Sequence, residues 1–360
     1  MILFDPAVIA DYREYGIMLP IPPDRGNRTL EFLSGTYKVM NFSSAKSFLG
    51  LEGEVLNRDD LERIHSKEYI SQLYGEGLEE ALLKTFELID DQGKLCRYEP
   101  DCAVKPLRDL FQILIAQAEG TYLACLLALS KGFCFYLGGG MHHARYDSGS
   151  GFCLINDVTS AAVKLLNETN IKTIWIIDLD AHKGDGTAEL IRFARERGEL
   201  IKPCGESALI VSPDKRPCVL TLSIHMASGW PLDKESIASA ENDRAPLLSS
   251  DVDIGIESGE ETFYTARLAE GIRKLEILYN ETPDFALVVD GADPYEHDAL
   301  SSTSLLRLTL EQCIERDIYV YRYLRERKIP SAWIQAGGYG ERAWEPPAYF
   351  LREVISGRTL

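Results

Sequence analysis

Short runs of apolar residues alternate along the chain with longer segments in which apolar residues recur every three or four positions. The short runs predict buried strands at 133–137, 173–178, 219–224, 285–290 and 332–335. The longer segments predict helices at 107–129, 157–166, 186–197, 261–279 and 304–325. This alternation predicts an α/β fold of three layers, in which helices cover both faces of a central, mostly parallel sheet.

Residues of metal-binding types follow two of the predicted strands. Asp180 and His182 come after the strand at 173–178, and Asp293 follows the strand at 285–290. Parallel strands end at one edge of a sheet, so these three side chains can converge on one cation there. If the backbone stays extended, residues two positions apart point to the same side. Carboxylate oxygens and imidazole nitrogens bind first-row divalent metals, and three protein ligands plus water suit a catalytic zinc.

Each acid taken alone has a simpler interpretation, as a helix cap or as an acceptor in a turn. The whole group favours a metal, because the burial of several carboxylates without a cation is too costly.

Two adjacent histidines, His142 and His143, follow a run of three glycines after the first predicted strand. An imidazole with a pKa near neutrality can exchange protons with a reacting group. Asp178 and Asp185 are each predicted to accept a hydrogen bond from one of these imidazoles, which would fix its tautomer.

Three aromatic residues complete the candidate site. Tyr339 follows two glycines, and its phenol either donates a hydrogen bond to a developing oxyanion or only packs beside a tight turn. Phe152 and Trp230 either line a substrate channel or belong to the core.

Composition and charge restrict the class of protein. The 360 residues, 45% hydrophobic and 26% charged, contain no repeat or linker, so we expect a single globular domain over 1–360. The net charge of -18 argues against nucleic acid as a partner. The acidic excess attracts cationic ligands or merely keeps the protein soluble. No Gly-rich phosphate-binding motif is present.

Sequence features also suggest a compartment. The N-terminus has no basic and then apolar leader, and no apolar run reaches the ~18 residues of a membrane span. The eight cysteines are scattered without a Cys-x-x-Cys pair. We expect a cytoplasmic protein with reduced thiols and no membrane partner; the oligomeric state stays open.

The motifs, in their order along the chain, resemble those of the histone deacetylase family. The resemblance covers about 61–343, and the Asp-Leu-Asp-Ala-His wording is closer to class IV and bacterial deacetylase-like members than to class I enzymes. The motifs are Gly138-Gly139-Gly140-Met141-His142-His143-Ala144, Ser150-Gly151-Phe152-Cys153-Leu154-Ile155-Asn156-Asp157, Asp178-Leu179-Asp180-Ala181-His182-Lys183-Gly184-Asp185-Gly186, Gly291-Ala292-Asp293-Pro294 and Gly337-Gly338-Tyr339.

The resemblance implies an arginase/deacetylase fold with an eight-stranded sheet and a zinc-dependent amidohydrolase. Its substrates would be acylated amines, either acyl-lysine or acetylpolyamine. The implied site has three parts: the zinc ligands Asp180, His182 and Asp293; the proton-transfer pair His142 and His143, backed by Asp178 and Asp185; and the carbonyl-polarising Tyr339.

The family resemblance also implies a substrate tunnel and a second cation. Phe152, Gly151 and Trp230 would flank the acyl-lysine tunnel, and Asp101 would be a carboxylate at its rim. A potassium ion would be bound by side-chain or main-chain oxygens of Asp178, Asp180, His182, Ser223 and Ile224.

Three departures from the family pattern stand out. Lys183 replaces a histidine or glutamine, 194–216 resembles an insertion, and the loop at 20–25 lacks the usual His-Pro-Glu wording. Two other functions stay open, a ureohydrolase with two manganese ions and a catalytically silent module that binds acylated ligands. The physiological substrate, the acyl length and the choice between zinc and iron also stay open.

Overall fold

The computed structural model describes residues 1–35, 37–90, 92–200, 218–232, 249–279 and 282–357. Eight strands are found in this part of the chain. They are β1 (Ile2–Leu3), β2 (Val39–Met40), β3 (Phe133–Tyr136), β4 (Thr173–Asp178), β5 (Cys218–Met226), β6 (Val252–Ile256), β7 (Phe285–Asp290) and β8 (Ser331–Gln335). They form one sheet in the order β2-β1-β3-β8-β7-β4-β5-β6, and every described pair is parallel. The predicted α/β sheet is therefore confirmed.

The five predicted strands are all present, and three further strands were missed. β1 and β2 have two residues each, which is too short for a periodic signal. β6 lies at the edge of the sheet and alternates buried with exposed positions, so it lacks the continuous apolar run of the central strands.

Eleven α-helices connect and cover the strands in the described residues. They are α1 (Arg25–Leu33), α2 (Phe42–Leu49), α3 (Arg58–Glu62), α4 (Lys67–Leu73), α5 (Leu78–Thr85), α6 (Leu110–Lys131), α7 (Asp157–Glu168), α8 (Asp185–Glu196), α9 (Tyr264–Tyr279), α10 (Leu310–Glu326) and α11 (Glu345–Ser356).

Helix bounds differ most from the prediction at α10, which was expected from residue 304. It begins at Leu310 because Thr309 is its N-cap, and Thr309 and Gln312 form a capping box. The first turns of the helices predicted at 107 and 261 are short 3₁₀ helices instead.

Two hydrophobic layers enclose the sheet. On one face, α6, α7 and α8 pack against alternate residues of the central strands, such as Ile174 and Ile176. On the other face, α9, α10 and α11 pack against the intervening residues, such as Trp175 and Ile177. Helix α6 and the turn before it, residues 107–131, are long and apolar enough to cross a bilayer. However, 67% of the most apolar 18-residue stretch is buried inside the protein, which is typical of a core helix.

The order of strands places the candidate residues together. β3, β8, β7 and β4 are consecutive neighbours in the sheet. The segments that follow their carboxyl ends carry, respectively, the histidine pair, Tyr339, Asp293 and the Asp180–His182 segment. Of the predicted insertion at 194–216, the first residues complete α8, and 201–216 lie outside the described residues.

Candidate metal and catalytic site

Asp180, His182 and Asp293 form a compact, buried group of potential metal ligands. One ligand atom of each lies within 4.8 Å of those of the other two. The Nδ1 atom of His182 is 3.0 Å from Asp293 Oδ2 and 3.3 Å from Asp180 Oδ1. The extended backbone expected here ends at Asp178, where β4 ends. A bend brings the ligands together instead, and the His182 N–H donates to Asp180 Oδ1 at 3.0 Å.

Two glycines make room for the acids of this group. A Cβ at Gly291 would lie 2.4 Å from Asp180 Oδ2, and one at Gly337 would lie 2.6 Å from Asp180 Oδ2 and from the Asp293 carboxyl carbon. The Gly337 N–H also donates to Asp180 Oδ2 at 2.9 Å. Any larger residue at either position would displace the carboxylates. Two acids and one imidazole, buried and held in place, fit a divalent cation of the zinc type.

The charges around His182 attract a cation. Burial lowers the pKa of His182, but hydrogen bonds to Asp180 and Asp293 outweigh it and raise that pKa to about 10. Burial and the neighbouring Asp180 raise the pKa of Asp293 to about 6. The two carboxylates thus hold a proton on the imidazole, and a bound metal must displace it.

We expect the affinity for Zn²⁺ to rise with pH. Displacement of one proton from a group whose pKa is about 10 strengthens the apparent affinity about tenfold per pH unit below that pKa. Competition with a chromophoric chelator at pH 6, 7 and 8 measures this slope. An affinity independent of pH would show that His182 is not a ligand.

The two histidines make the predicted hydrogen bonds. His142 Nδ1 is 2.7 Å from Asp178 Oδ2, and His143 Nδ1 is 2.8 Å from Asp185 Oδ1. With each Nδ1 engaged by a carboxylate, the Nε2 atom is the one available for proton exchange. The ring centroids lie 3.9 Å apart, so a charge on one imidazole changes the pKa of the other.

The pKa values of this pair are shifted in opposite directions. Burial lowers the pKa of His142, but the carboxylates of Asp178 and Asp180 outweigh it and raise that pKa to about 9. Burial, followed by the charge of His142, lowers the pKa of His143 to about 4. At neutral pH, His143 is therefore neutral and can accept a proton on Nε2.

A buried carboxylate holds the turn that precedes the histidines. Asp157, the first residue of α7, accepts hydrogen bonds from the N–H groups of Gly140 at 2.9 Å and Met141 at 2.6 Å. Gly139 and Gly140 have φ of 76° and 79°, values that favour glycine. The sequence motif at 150–157 includes Asp157. The motif did not predict the role of Asp157, because that role requires α7 to contact a turn 16 residues earlier in the chain.

Tyr339 lies beside the metal-ligand group and is 9% exposed. Its backbone N–H donates to Asp298 Oδ2 at 2.7 Å, which fixes the loop after β8. Burial and the nearby acids, Asp293 first, raise the pKa of Tyr339 well above its ordinary value, so the phenol stays a donor.

Two cavities meet at this site, and His143, Gly151, Phe152, His182 and Tyr339 line both of them. The cavity whose lining also includes Glu87, Arg97 and Trp230 is called the outer cavity, and the other is called the inner cavity. The ring centroid of Trp230 is 4.6 Å from that of His143 and 5.6 Å from that of His182.

The inner cavity is also lined by Arg25, whose Nη1 donates to the carbonyl of Ala336 at 3.0 Å. Arg25 is both the last residue of the atypical 20–25 loop and the first residue of α1, and it belongs to none of the sequence motifs.

The rim of the outer cavity differs from the expectation. Asp101 is exposed in the short 3₁₀ helix Pro100–Cys102 and does not line either cavity. Glu87 and Arg97 lie at the rim instead and form an ion pair. The guanidinium of Arg97 is 5.5 Å from the centre of the Phe152 ring. Neither residue belongs to a motif, so no pattern along the chain predicted them.

The residues expected to bind potassium are neighbours. Asp178 and Ser223 are paired in register between β4 and β5, and Ile224 follows. Asp178 Oδ1 accepts a hydrogen bond from the N–H of Asp180 at 3.1 Å. These contacts bring Asp178, Asp180 and Ser223 next to one another, and the ion itself stays a prediction.

The unusual Lys183 is neutralised away from the ligand group. It is buried, and its Nζ donates to Asp253 Oδ2 of β6 at 2.8 Å. The buried His65 has a structural role, because both of its ring nitrogens are hydrogen-bonded to backbone, to the Arg145 carbonyl at 2.7 Å and to the Asn156 N–H at 3.0 Å.

Comparisons with known proteins agree with the motifs. A family model for the histone deacetylase domain matches residues 19–348. An uncharacterized protein of Picosynechococcus is 29% identical over 227 residues, which cover 63% of this chain and 59% of that protein. Histone deacetylase 2 of Arabidopsis thaliana is 27% identical, with 62% and 48% covered. Histone deacetylase B of Dictyostelium discoideum is 24% identical, with 91% and 67% covered. The match thus spans about half to two thirds of these relatives.

Proposed function

The chain belongs to the histone deacetylase family, and from this premise we propose that it is a zinc-dependent hydrolase that removes acetyl or longer acyl groups from acylated amines. One observation carries the proposal. The buried Asp180, His182 and Asp293 group lies where two cavities meet, together with the His143 imidazole and Tyr339. This arrangement combines a Lewis-acid site, a base and a hydrogen-bond donor.

Zinc bound by Asp180, His182 and Asp293 would polarise the acyl carbonyl and acidify a water molecule. His143 accepts a proton from the attacking water on Nε2, while its Nδ1–H stays bonded to Asp185. The same nitrogen then donates this proton to the leaving amine. The low pKa of His143, about 4, keeps it ready to accept a proton at neutral pH.

Two other side chains stabilise charge during the reaction. His142 has a pKa raised to about 9 by its acidic neighbours, so it carries a proton and lends positive charge to the site. The Tyr339 hydroxyl donates a hydrogen bond to the carbonyl oxygen as negative charge develops there.

The outer cavity suits the aliphatic part of an acylated amine. The rings of Phe152 and Trp230 form its walls, and Leu300 lines it as well. An apolar passage to a polar centre is the usual design of a small-molecule site. Acyl-lysine peptides and acetylpolyamines both have an aliphatic stem of this kind, and we propose them as the two substrate classes.

A panel assay tests this function. Zinc-loaded protein is offered acetyl-, butyryl- and myristoyl-lysine peptides and acetylated polyamines, and the released amine is quantified. We expect turnover of at least one class, lowered by roughly 10³-fold or more in the Asp293→Asn variant. Fully zinc-loaded protein that releases no amine from any of them would favour the silent binding module.

A second candidate function has one observation in its favour. His142, His143 and Asp180 also have potential ligand atoms within 4.8 Å of one another, and this group shares Asp180 with the first. Two adjacent metals would suit a manganese ureohydrolase. The Nδ1 atoms of His142 and His143 are already engaged by Asp178 and Asp185, and the second group contains only one carboxylate, the shared Asp180, so we favour the deacylase with one zinc.

We also propose that the protein binds one potassium ion and that it is cytoplasmic. The ion would bind to oxygens of Asp178, Asp180, His182, Ser223 and Ile224. The family resemblance and the pairing of Asp178 with Ser223 support it.

Gly151→Ala is expected to lower kcat/KM by roughly tenfold or more with zinc retained. A Cβ at Gly151 would lie 2.4 Å from the Trp230 ring and 2.7 Å from the His143 ring, so both must move. Gly50→Ala is the matched control, because Gly50 has a similar φ of +70° with no atom within 4 Å of its Cβ. Steady-state kinetics of both variants test this prediction, and Gly50→Ala should keep the wild-type kcat/KM. Equal loss in the two would mean that backbone strain alone acts.

A further inference from the structure

A fully buried arginine lies directly behind the metal-ligand group. Arg316, in α10, is 0% exposed. Its Nη2 donates to Asp290 Oδ1 at 2.8 Å and its Nε to Asp317 Oδ1 at 2.6 Å, and both carboxylates are buried. Burial of an arginine with two carboxylates costs free energy, and a folded protein tolerates it only where the charges are paired and hydrogen-bonded.

The remaining contacts of Arg316 join the two backbone segments that carry the ligands. Its Nη1 donates to the carbonyl of Leu179 at 2.9 Å and to that of Gly291 at 3.1 Å. Leu179 directly precedes the ligand Asp180, and Gly291 lies two residues before the ligand Asp293. One nitrogen atom therefore bridges the two segments immediately beyond the ends of β4 and β7.

The bridge is held in a fixed orientation. Asp290 is the last residue of β7 and Asp317 lies on α10, so the guanidinium is anchored to both the sheet and the helix. The planar guanidinium can contact two carboxylates and two carbonyls at once. A lysine at this position would keep the charge but could not reproduce this fork.

We propose that Arg316 is a positioning residue that sets the distance between the Asp180–His182 segment and Asp293, and thereby the affinity and geometry of the bound metal. The inference rests on the proposed zinc site. Arg316 touches neither substrate nor the ligand side chains; it acts through backbone carbonyls next to them.

A second buried ion pair serves as a matched control. Lys164 of α7 is 7% exposed, and its Nζ donates to Asp60 Oδ2 of α3 at 2.8 Å. This pair has a similar burial and links two helices, but it contacts neither ligand segment. Loss of Lys164 therefore reports what removal of a buried cation does to stability alone.

The experiment compares Arg316→Lys with Lys164→Met. The Kd for Zn²⁺ is measured by chelator competition, the Co²⁺ absorption spectrum reports ligand geometry, and the Tm of the metal-free protein reports stability. We expect Arg316→Lys to weaken zinc binding by about 10- to 100-fold and to alter the Co²⁺ bands. Lys164→Met should lower Tm and leave both metal readouts unchanged.

Asp317→Asn is the second variant in case Arg316→Lys does not fold. It removes the charge of one anchor of the guanidinium and keeps the bridge itself, so we expect a smaller weakening of zinc binding. Unchanged zinc affinity in the folded Arg316 or Asp317 variant, or equal weakening in Lys164→Met, overturns the inference. Wild-type protein that binds no zinc would instead refute the proposed function on which it rests.

Discussion

Asp293→Asn is expected to lower kcat/KM by roughly 10³-fold or more, because loss of the metal's charge stabilisation costs several kcal/mol. Asp293 Oδ2 lies 3.0 Å from His182 Nδ1, and its Oδ1 accepts the Ala181 N–H at 2.9 Å. The amide keeps the shape but loses the negative charge, so the ligand group attracts the cation less. Zinc content after dialysis, measured together with turnover, checks the result.

Asp60→Asn is the control for this variant. Asp60 is 6% exposed and pairs with Lys164, away from the cavities. It should retain zinc and turnover even if its Tm falls. An Asp293→Asn protein that keeps both one zinc per chain and wild-type kinetics would remove Asp293 from the ligand set.

Tyr339→Phe is expected to reduce kcat by about 10²- to 10³-fold with the zinc content unchanged. The change removes only the hydroxyl, and the ring, 6.3 Å from that of Phe152, can keep its packing. The lost hydrogen bond forms only as charge develops on the carbonyl oxygen, so kcat should fall more than KM changes.

Tyr295→Phe is the control for Tyr339. It also removes a hydroxyl from a buried tyrosine, but this hydroxyl donates to Glu345 Oε2 at 2.8 Å, and Tyr295 lines neither cavity. Its kinetics should match the wild type. Equal kinetics for Tyr339→Phe and wild type would show that the phenol takes no part in the reaction.

The sequence could predict the sheet and the candidate ligands because both depend on local signals. Apolar runs identify buried strands, and the carboxyl ends of parallel strands share one edge. The bend after Asp178 could not be predicted, because it depends on contacts with Gly337 and Asp293, far along the chain. The edge strand β6 was missed because two of its five residues face solvent, which interrupts the apolar run.

The supporting residues were harder to predict than the ligands. Arg316 lies in a helix whose pattern shows only an amphipathic surface, and its contact with Leu179 spans 137 positions. Glu87 and Arg97 reach the rim through a loop, whereas the motif-like Asp101 does not line the cavities. The roles of such residues depend on tertiary contacts, and the spacing of residues along the chain does not reveal those contacts.

Anomalous diffraction at the zinc edge, from crystals grown with Zn²⁺, tests the central claim most directly. We predict one peak per chain, at about 2.0–2.2 Å from a carboxylate oxygen of Asp180, from His182 Nδ1 and from a carboxylate oxygen of Asp293. No peak at this position, or a second peak bound by His142 and His143, would contradict a hydrolase that works with a single zinc.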